Sequence, residues 1–391
     1  MRYIGLSLGL TVLATFAAAA DTPDIDKAIS AYNQAVSSGD AASRVRAAKE
    51  LGEAAMAHPK RDDAALLAYE AGQTLCVYAA CDGASPIAAF AAGQSLEDGP
   101  VQPADIALLN AYSDWQDKKT GSSRKALDEA LESLVGADLT MLTLAAFHNR
   151  YSHDANEGHW RKVEKSAHQA AIHFAPFKNV IGEQWSEAAM AAIVGSFNSD
   201  PDTDDALAMA RHHVALGKLS ASSDENAEWL KQHWYISDAW QMAMSAYFHS
   251  GGGRRLSGRI RGPDPDKLDA EIGAIMTELD NLDRTPATED VVIDPDDLPY
   301  CNGRFDMDPP LRYPFRAAKK GMFGAAIARI AVNGHDVTEV EILAAVPSDT
   351  FEKSAEKTIR KWRWQPAGTP GETCRAEHPN LVQPLIFALG N

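Results

Sequence analysis

The sequence predicts a mainly α N-terminal region, an α-solenoid or helical bundle, followed by a small α+β C-terminal domain. Three observations carry this reading. From Asp24 to Asp283 alanine is abundant, β-branched residues are sparse and apolar residues recur at spacings of three and four. Helix-breaking punctuation divides that stretch, at Gly99-Pro100, Gly121-Ser122-Ser123 and Ser199-Asp200-Pro201. Past Pro299 the pattern changes to alternating apolar runs on either side of Asn333-Gly334, with a last apolar run at Leu381–Leu389.

The chain begins with a targeting segment. Arg2 supplies a positive start, Ile4 to Phe16 is apolar, and Ala18-Ala19-Ala20 before Asp21 resembles a cleavage site. This predicts a signal peptide over residues 1–20, cleaved after Ala20. An uncleaved inner-membrane anchor is the alternative, because an apolar stretch of about seventeen residues is near the short end of a spanning helix. Export places four cysteines in an oxidising compartment. Cys76 and Cys81 are positioned to close a small loop at a helix end. Cys301 and Cys374 both fall in the C-terminal segment and would staple its ends. Zinc binding is the rival use of these residues, but paired C-x-x-C spacing is absent.

The 391 residues are enough for two or three domains, and 45% hydrophobic with 23% charged residues is a folded composition. A formal charge of −17 argues against nucleic-acid or anionic-membrane partners, which require a basic face. Residues 21–284 are read as one all-helical domain. Its helices are expected at Ser43–His58, Asp62–Ala80, Ser85–Leu96, Pro103–Trp115, Ser123–Leu134, Asp138–Tyr151, Gly158–Phe174, Glu183–Phe197, Asp202–Leu216, Asp224–Phe248 and Asp266–Leu282. Short helices with short loops predict stacked antiparallel pairs. The stretch Arg44–Ala55 resembles the small/large alternation of tetratricopeptide-type repeats, although no strict 34-residue period emerges. The acidic, proline-containing segment 285–299 reads as a linker.

Residues 300–391 form the α+β domain. Tyr313–Lys320 predicts a helical turn ended by Gly321, and Met322–Val332 a strand. Asn333-Gly334 predicts a type I′ hairpin turn with positive φ at both central positions, and Val337–Val346 returns as a second strand. Ser348 and Asp349 are placed to cap a helix over Thr350–Trp362, whose apolar face is Phe351, Ala355, Ile359 and Trp362. Leu381–Leu389 is the closing strand.

This segment resembles the C-terminal domain of TonB and TonB-like proteins. Tyr313-Pro314, Gly321, Gly324, Asn333-Gly334 and the ending Trp362-Arg363-Trp364-Gln365-Pro366-Ala367 carry the resemblance, which spans roughly residues 298–390. It implies a periplasmic module that grips outer-membrane or other envelope proteins by pairing an edge strand with a partner peptide. On that implication the partner-binding residues are Leu381, Val382, Leu385, Ile386, Phe387 and Leu389. The departures are equally specific. A helical domain stands where a TonB transducer has a proline-rich spacer, and the apolar N-terminus lacks an intramembrane histidine.

Nothing in the sequence assembles a catalytic set, and no cofactor or metal is expected. His148/His153, His168/His173 and His212-His213 lack an H-E-x-x-H frame and read as surface or capping residues. Gly251-Gly252-Gly253-Arg254-Arg255 lacks the lysine and the preceding strand of a phosphate loop. Trp229, Trp234, Tyr235, Trp240 and Tyr247 share one helix and read as core, with a peptide groove as the minority reading. Asp204-Asp205 reads as first-turn helix charge. The functional expectation is a non-enzymatic periplasmic adaptor or scaffold, with a second protein partner on the helical domain. The alternatives are a TonB-type energy transducer with an uncleaved anchor and a metal-dependent envelope hydrolase.

Overall fold

A computed structural model of the chain describes residues 24–94, 101–222, 227–252, 264–282 and 298–388. The expected leader at 1–20, residues 285–297 of the expected linker, Gly253–Arg255 and Leu389 lie outside the described residues. Contacts divide the chain into two compact units, Met1–Ala130 and Leu131–Asn391. No helix among the described residues is long and apolar enough to cross a membrane.

The first unit is helical. It holds α1 (Ile25–Ser38), α2 (Ala41–Ala57), α3 (Ala64–Tyr78), α4 (Ala84–Ala92), α5 (Pro103–Lys118) and most of α6 (Gly121–Ser133). Local chemistry sets the ends. Asp24 accepts hydrogen bonds from the backbone N–H groups of Asp26 and Lys27, and Asp40 accepts one from Ser43, so each satisfies donors that a helix start leaves free. Pro103 opens α5 at a position where its missing donor costs nothing. Helices α1 to α5 pack consecutively around Leu51, Leu75, Leu108, Tyr112 and Trp115. Small residues allow close approach, and Gly52 faces Ile87 with no room for a Cβ. The disulfide Cys76–Cys81 closes the turn between α3 and α4, as expected.

The second unit starts with α7 (Met141–Asn156), α8 (Trp160–Phe174), α9 (Gly182–Ser199), α10 (Thr203–Ser222), α11 (Glu228–His249) and α12 (Pro265–Met276). Asp204 and Asp205 lie in the first turn of α10, as the sequence implied. The sheet domain follows: β1 (Gly303–Asp306), α13 (Phe315–Lys319), β2 (Gly324–Asn333), β3 (Asp336–Val346), α14 (Glu352–Ile359), β4 (Arg363–Pro366) and β5 (Glu377–Phe387). The five strands are antiparallel in the order β1-β4-β3-β2-β5. Cys301 and Cys374 are bonded and tie the entry to β1 to the entry to β5. The fold class is therefore the expected one, mainly α with a small α+β C-terminal domain.

Three local expectations are corrected. The hairpin turn is Gly334-His335, between paired Asn333 and Asp336, and Gly334 alone takes positive φ (+61). That is the type II′ pattern, because Asn333 continues the β2 ladder and leaves glycine as the first central residue. Ser348 and Asp349 do not cap α14, which starts behind Phe351. Instead the Glu352 carboxylate accepts from the Asp349 N–H at 2.7 Å. Two strands, β1 and β4, were not foreseen. Each has four residues, and β4 is the Arg-Trp-Gln-Pro part of the Trp362–Ala367 motif, too short for an alternation to stand out.

Both faces of the central strand β2 are covered. On one face α13 and α14 bury Ala326, Ala328, Ile330 and Val332 of β2 beneath Phe351, Ala355, Ile359 and Trp362. On the other, Ala325, Ile327, Ala344 and Val346 pack against Leu230, Trp234, Tyr235, Ala239 and Ala243 of α11. Gln232 adds a hydrogen bond from Nε2 to the Leu343 carbonyl at 3.3 Å. The contact division thus falls at residue 130 and not in the segment 285–299, because α11 and the sheet share one core.

Candidate functional site

The strand order leaves β5 at one edge, hydrogen-bonded to β2 on its inner side and to no strand on its outer side among the described residues. Alternation decides what each β5 residue does. Leu385 and Phe387 point into the core under α14, and Phe387 stacks on Phe351 with ring centroids 4.4 Å apart. Val382 and Ile386 point the other way and remain 50% and 49% exposed. Leu381 is partly buried against the core. Of the five described residues among the six expected to bind a partner, two therefore present side chains to solvent. Leu385 and Phe387 serve the edge through their position in the strand, because a two-residue period sends their side chains inward.

Proline fixes which main-chain groups face outward. Pro384 pairs with Ile327 and has no N–H to give to β2. Its carbonyl accepts from Gln383 Nε2 at 2.9 Å, so its polar group is turned off the β2 ladder. Antiparallel alternation then turns the N–H and C=O groups of Val382 and Ile386 outward as well. Pro379 falls where the β2–β5 register shifts, between Leu381 and His378. The usable edge is short: Val382 and Ile386 each offer one donor and one acceptor, and Pro384 interrupts between them. No charged side chain lies between Leu381 and Phe387.

Residues 309–381 match the family model for the Gram-negative bacterial TonB protein C-terminal. Domains of this family interact with outer-membrane proteins, which implies a place in the cell envelope for the module. No curated protein shows a significant match to the chain. The TonB-like match ends at Leu381, so Val382 and Ile386 lie just beyond it.

The motif residues of the TonB-like domain are structural. Tyr313 stands edge-on to Phe351 at 5.7 Å, and Pro314 caps α13. Gly321 takes φ +63, a conformation few side chains tolerate. Gly324 lies against the Phe351 ring and the Val346 carbonyl. The Trp362 indole N–H donates to the Pro309 carbonyl at 2.9 Å, and Pro366 ends β4 opposite Gly303. They hold the sheet together.

The remaining candidates also have places. Trp234 and Tyr235 are buried under the sheet, with Trp229 and Trp240 packed around them, so the α11 aromatics form the seat of the TonB-like domain. Tyr247 meets Phe323 edge-on at 5.1 Å. His212 and His213 are corrected from surface to core, since α10 is packed against α9, α11 and α12. Burial pushes their pKa values down to about 3 and about 4. His213 Nδ1 lies 2.8 Å from Ser237 Oγ. His173 is also buried, with its pKa lowered by desolvation. His153 is half-buried near the end of α7, and His168 is exposed. What the sequence did not reveal is the docking of α11 on the sheet. The only trace was an unusually aromatic helix, which does not say what it covers.

Proposed function

We propose that the protein is a non-enzymatic adaptor of the periplasm that binds envelope proteins by adding a partner strand to the outer edge of β5. The observation that carries the reading is that edge: unpaired among the described residues, uncharged, and lined by half-exposed Val382 and Ile386. Main-chain hydrogen bonds would supply affinity, and the two apolar side chains would select the partner's alternate residues. The packing on α11 supports a second role for the domain. A sheet seated on a helix of the same unit presents its edge at a fixed orientation, which suits a scaffold that holds one partner relative to another. The helical surface would carry the second partner.

The test is capture from an envelope extract with the full chain and with Ile386→Pro. Ile386 donates outward, so the substitution removes a recognition donor and leaves the β2 ladder its bonds. Retention of an envelope protein by the wild-type chain, reduced at least fivefold in the variant, is the expected result. Equal retention by both would remove β5 from the binding surface.

A further inference from the structure

A second convergence lies away from the sheet edge. Glu183 and Glu187 sit four residues apart on α9, so their carboxylates share one face. His233 of α11 meets them there, and one ligand atom from each of the three residues lies within 4.8 Å of the others. Ser186 stands on the same face. Its Oγ is 2.8 Å from His233 Nδ1 and 3.0 Å from His212 Nε2. The hydroxyl can accept from one ring and donate to the other, which leaves Nε2 of His233 as that ring's remaining ligand atom. His233 is 7% exposed, and Trp229 stands edge-on to it at 5.5 Å, fixing the ring plane.

Charge balance is the unusual feature. The free imidazole nitrogen of His233 and the two carboxylates bring three ligand atoms to one point. Neither glutamate forms an ion pair with lysine or arginine among the described residues. His148 of α7 lies beside Glu187, with its Nδ1 3.5 Å from Glu187 Oε2. Three acceptors gathered at a partly buried point, one of them held by a hydrogen-bonded serine, is the arrangement of a cation site with an oriented ligand shell.

We propose that Glu183, Glu187 and His233 bind one divalent transition-metal ion of the zinc class and thereby tie α9 to α11. Imidazole disfavours calcium and magnesium, while two carboxylates neutralise a double positive charge. All four cysteines are in disulfides, so no thiolate competes for the ion. His148 acts as a positioning residue on Glu187. The consequence reaches the TonB-like domain, because α11 is the helix on which the sheet rests. This inference does not depend on strand pairing at β5.

The test is calorimetric titration of the chelator-stripped full chain with zinc chloride, with bound metal counted by elemental analysis. The expected result is one zinc ion per chain and a higher melting temperature at saturating zinc. Glu183→Gln and Glu187→Gln should each weaken zinc affinity by more than about tenfold, since even outer-shell losses cost about 10–100-fold. Among the described residues Glu183 forms no hydrogen bond or ion pair, so the metal-free E183Q protein should melt close to wild type, losing only a first-turn helix charge. His168→Ala, on an exposed site, should leave affinity unchanged. No zinc binding, or binding equally strong in E183Q and E187Q, would overturn the proposal. The latter outcome would mean that surface histidines hold the ion.

Discussion

Replacing Ile327 by alanine probes the seat of the sheet on α11. Ile327 is 1% exposed, and its burying neighbours come from α10 and α11 as well as from the sheet. The change removes three carbons, worth about 0.8 kcal/mol each, or about 2.4 kcal/mol in lost transfer energy. The hole left between a rigid strand and a rigid helix adds a cavity contribution, which brings the loss to about 3–4 kcal/mol, within the range for buried aliphatic truncations. The companion substitution Ile386→Ala removes the same carbons from the same sheet face, but from a side chain that is 49% exposed. It should cost under about 1.5 kcal/mol, roughly half the transfer term with little cavity. Urea unfolding followed by tryptophan fluorescence measures both, since Trp234 lies in the interface itself. Equal small losses for the two variants would refute the packing of α11 on the sheet, because a free TonB-like head would leave Ile327 at its surface.

Three further outcomes follow from individual residues. Burial pushes the Asp238 carboxyl up to about 6 from 3.8, about two units or about 3 kcal/mol at most. The fold therefore penalises the ionised form. Asp238→Asn should be neutral below about pH 4, gain stability relative to wild type as pH rises to about 6, and hold that gain above it, in unfolding curves across pH 4–8. Gly324→Ala should destabilise the TonB-like domain by about 1–3 kcal/mol or more, because the added Cβ overlaps the Phe351 ring and the Val346 carbonyl, as denaturant midpoints would report. Replacing Cys301 and Cys374 by serine should lower stability by about 4 kcal/mol, since the bond closes a loop with a sequence separation of 73. A calorimetric transition unchanged from wild type would contradict that value.

Periodic, long elements were legible in the sequence. The spacing of Phe351, Ala355 and Ile359 gave α14 its buried face, and helix ends at Pro59, Pro103 and Ser199-Asp200-Pro201 were marked by residues with a physical reason to stop or start a helix. The two disulfides followed from position. Short strands were not legible: β1 and β4 have four residues each and are held by tertiary pairing, not by pattern. The turn moved by one residue because only the pairing of Asn333 with Asp336 decides which two residues lie between them. The fate of His212 and His213 depended on α10 being packed by three helices, which no window of residues reports. The same limit hid Glu183, Glu187 and His233. The i,i+4 spacing of the glutamates was visible, but the histidine arrives from a helix that begins beyond the next one in sequence.

The most direct measurement is photo-crosslinking from a defined point on each sheet edge. A crosslinking amino acid is placed at Val382 on β5 or at exposed Arg304 on β1, in the full chain within intact cell envelopes. The β5 position should yield a discrete adduct with an envelope protein, lost when Ile386→Pro is added, and the β1 position should yield none. An adduct from Arg304 with none from Val382, or a Val382 adduct indifferent to Ile386→Pro, would contradict strand pairing at β5.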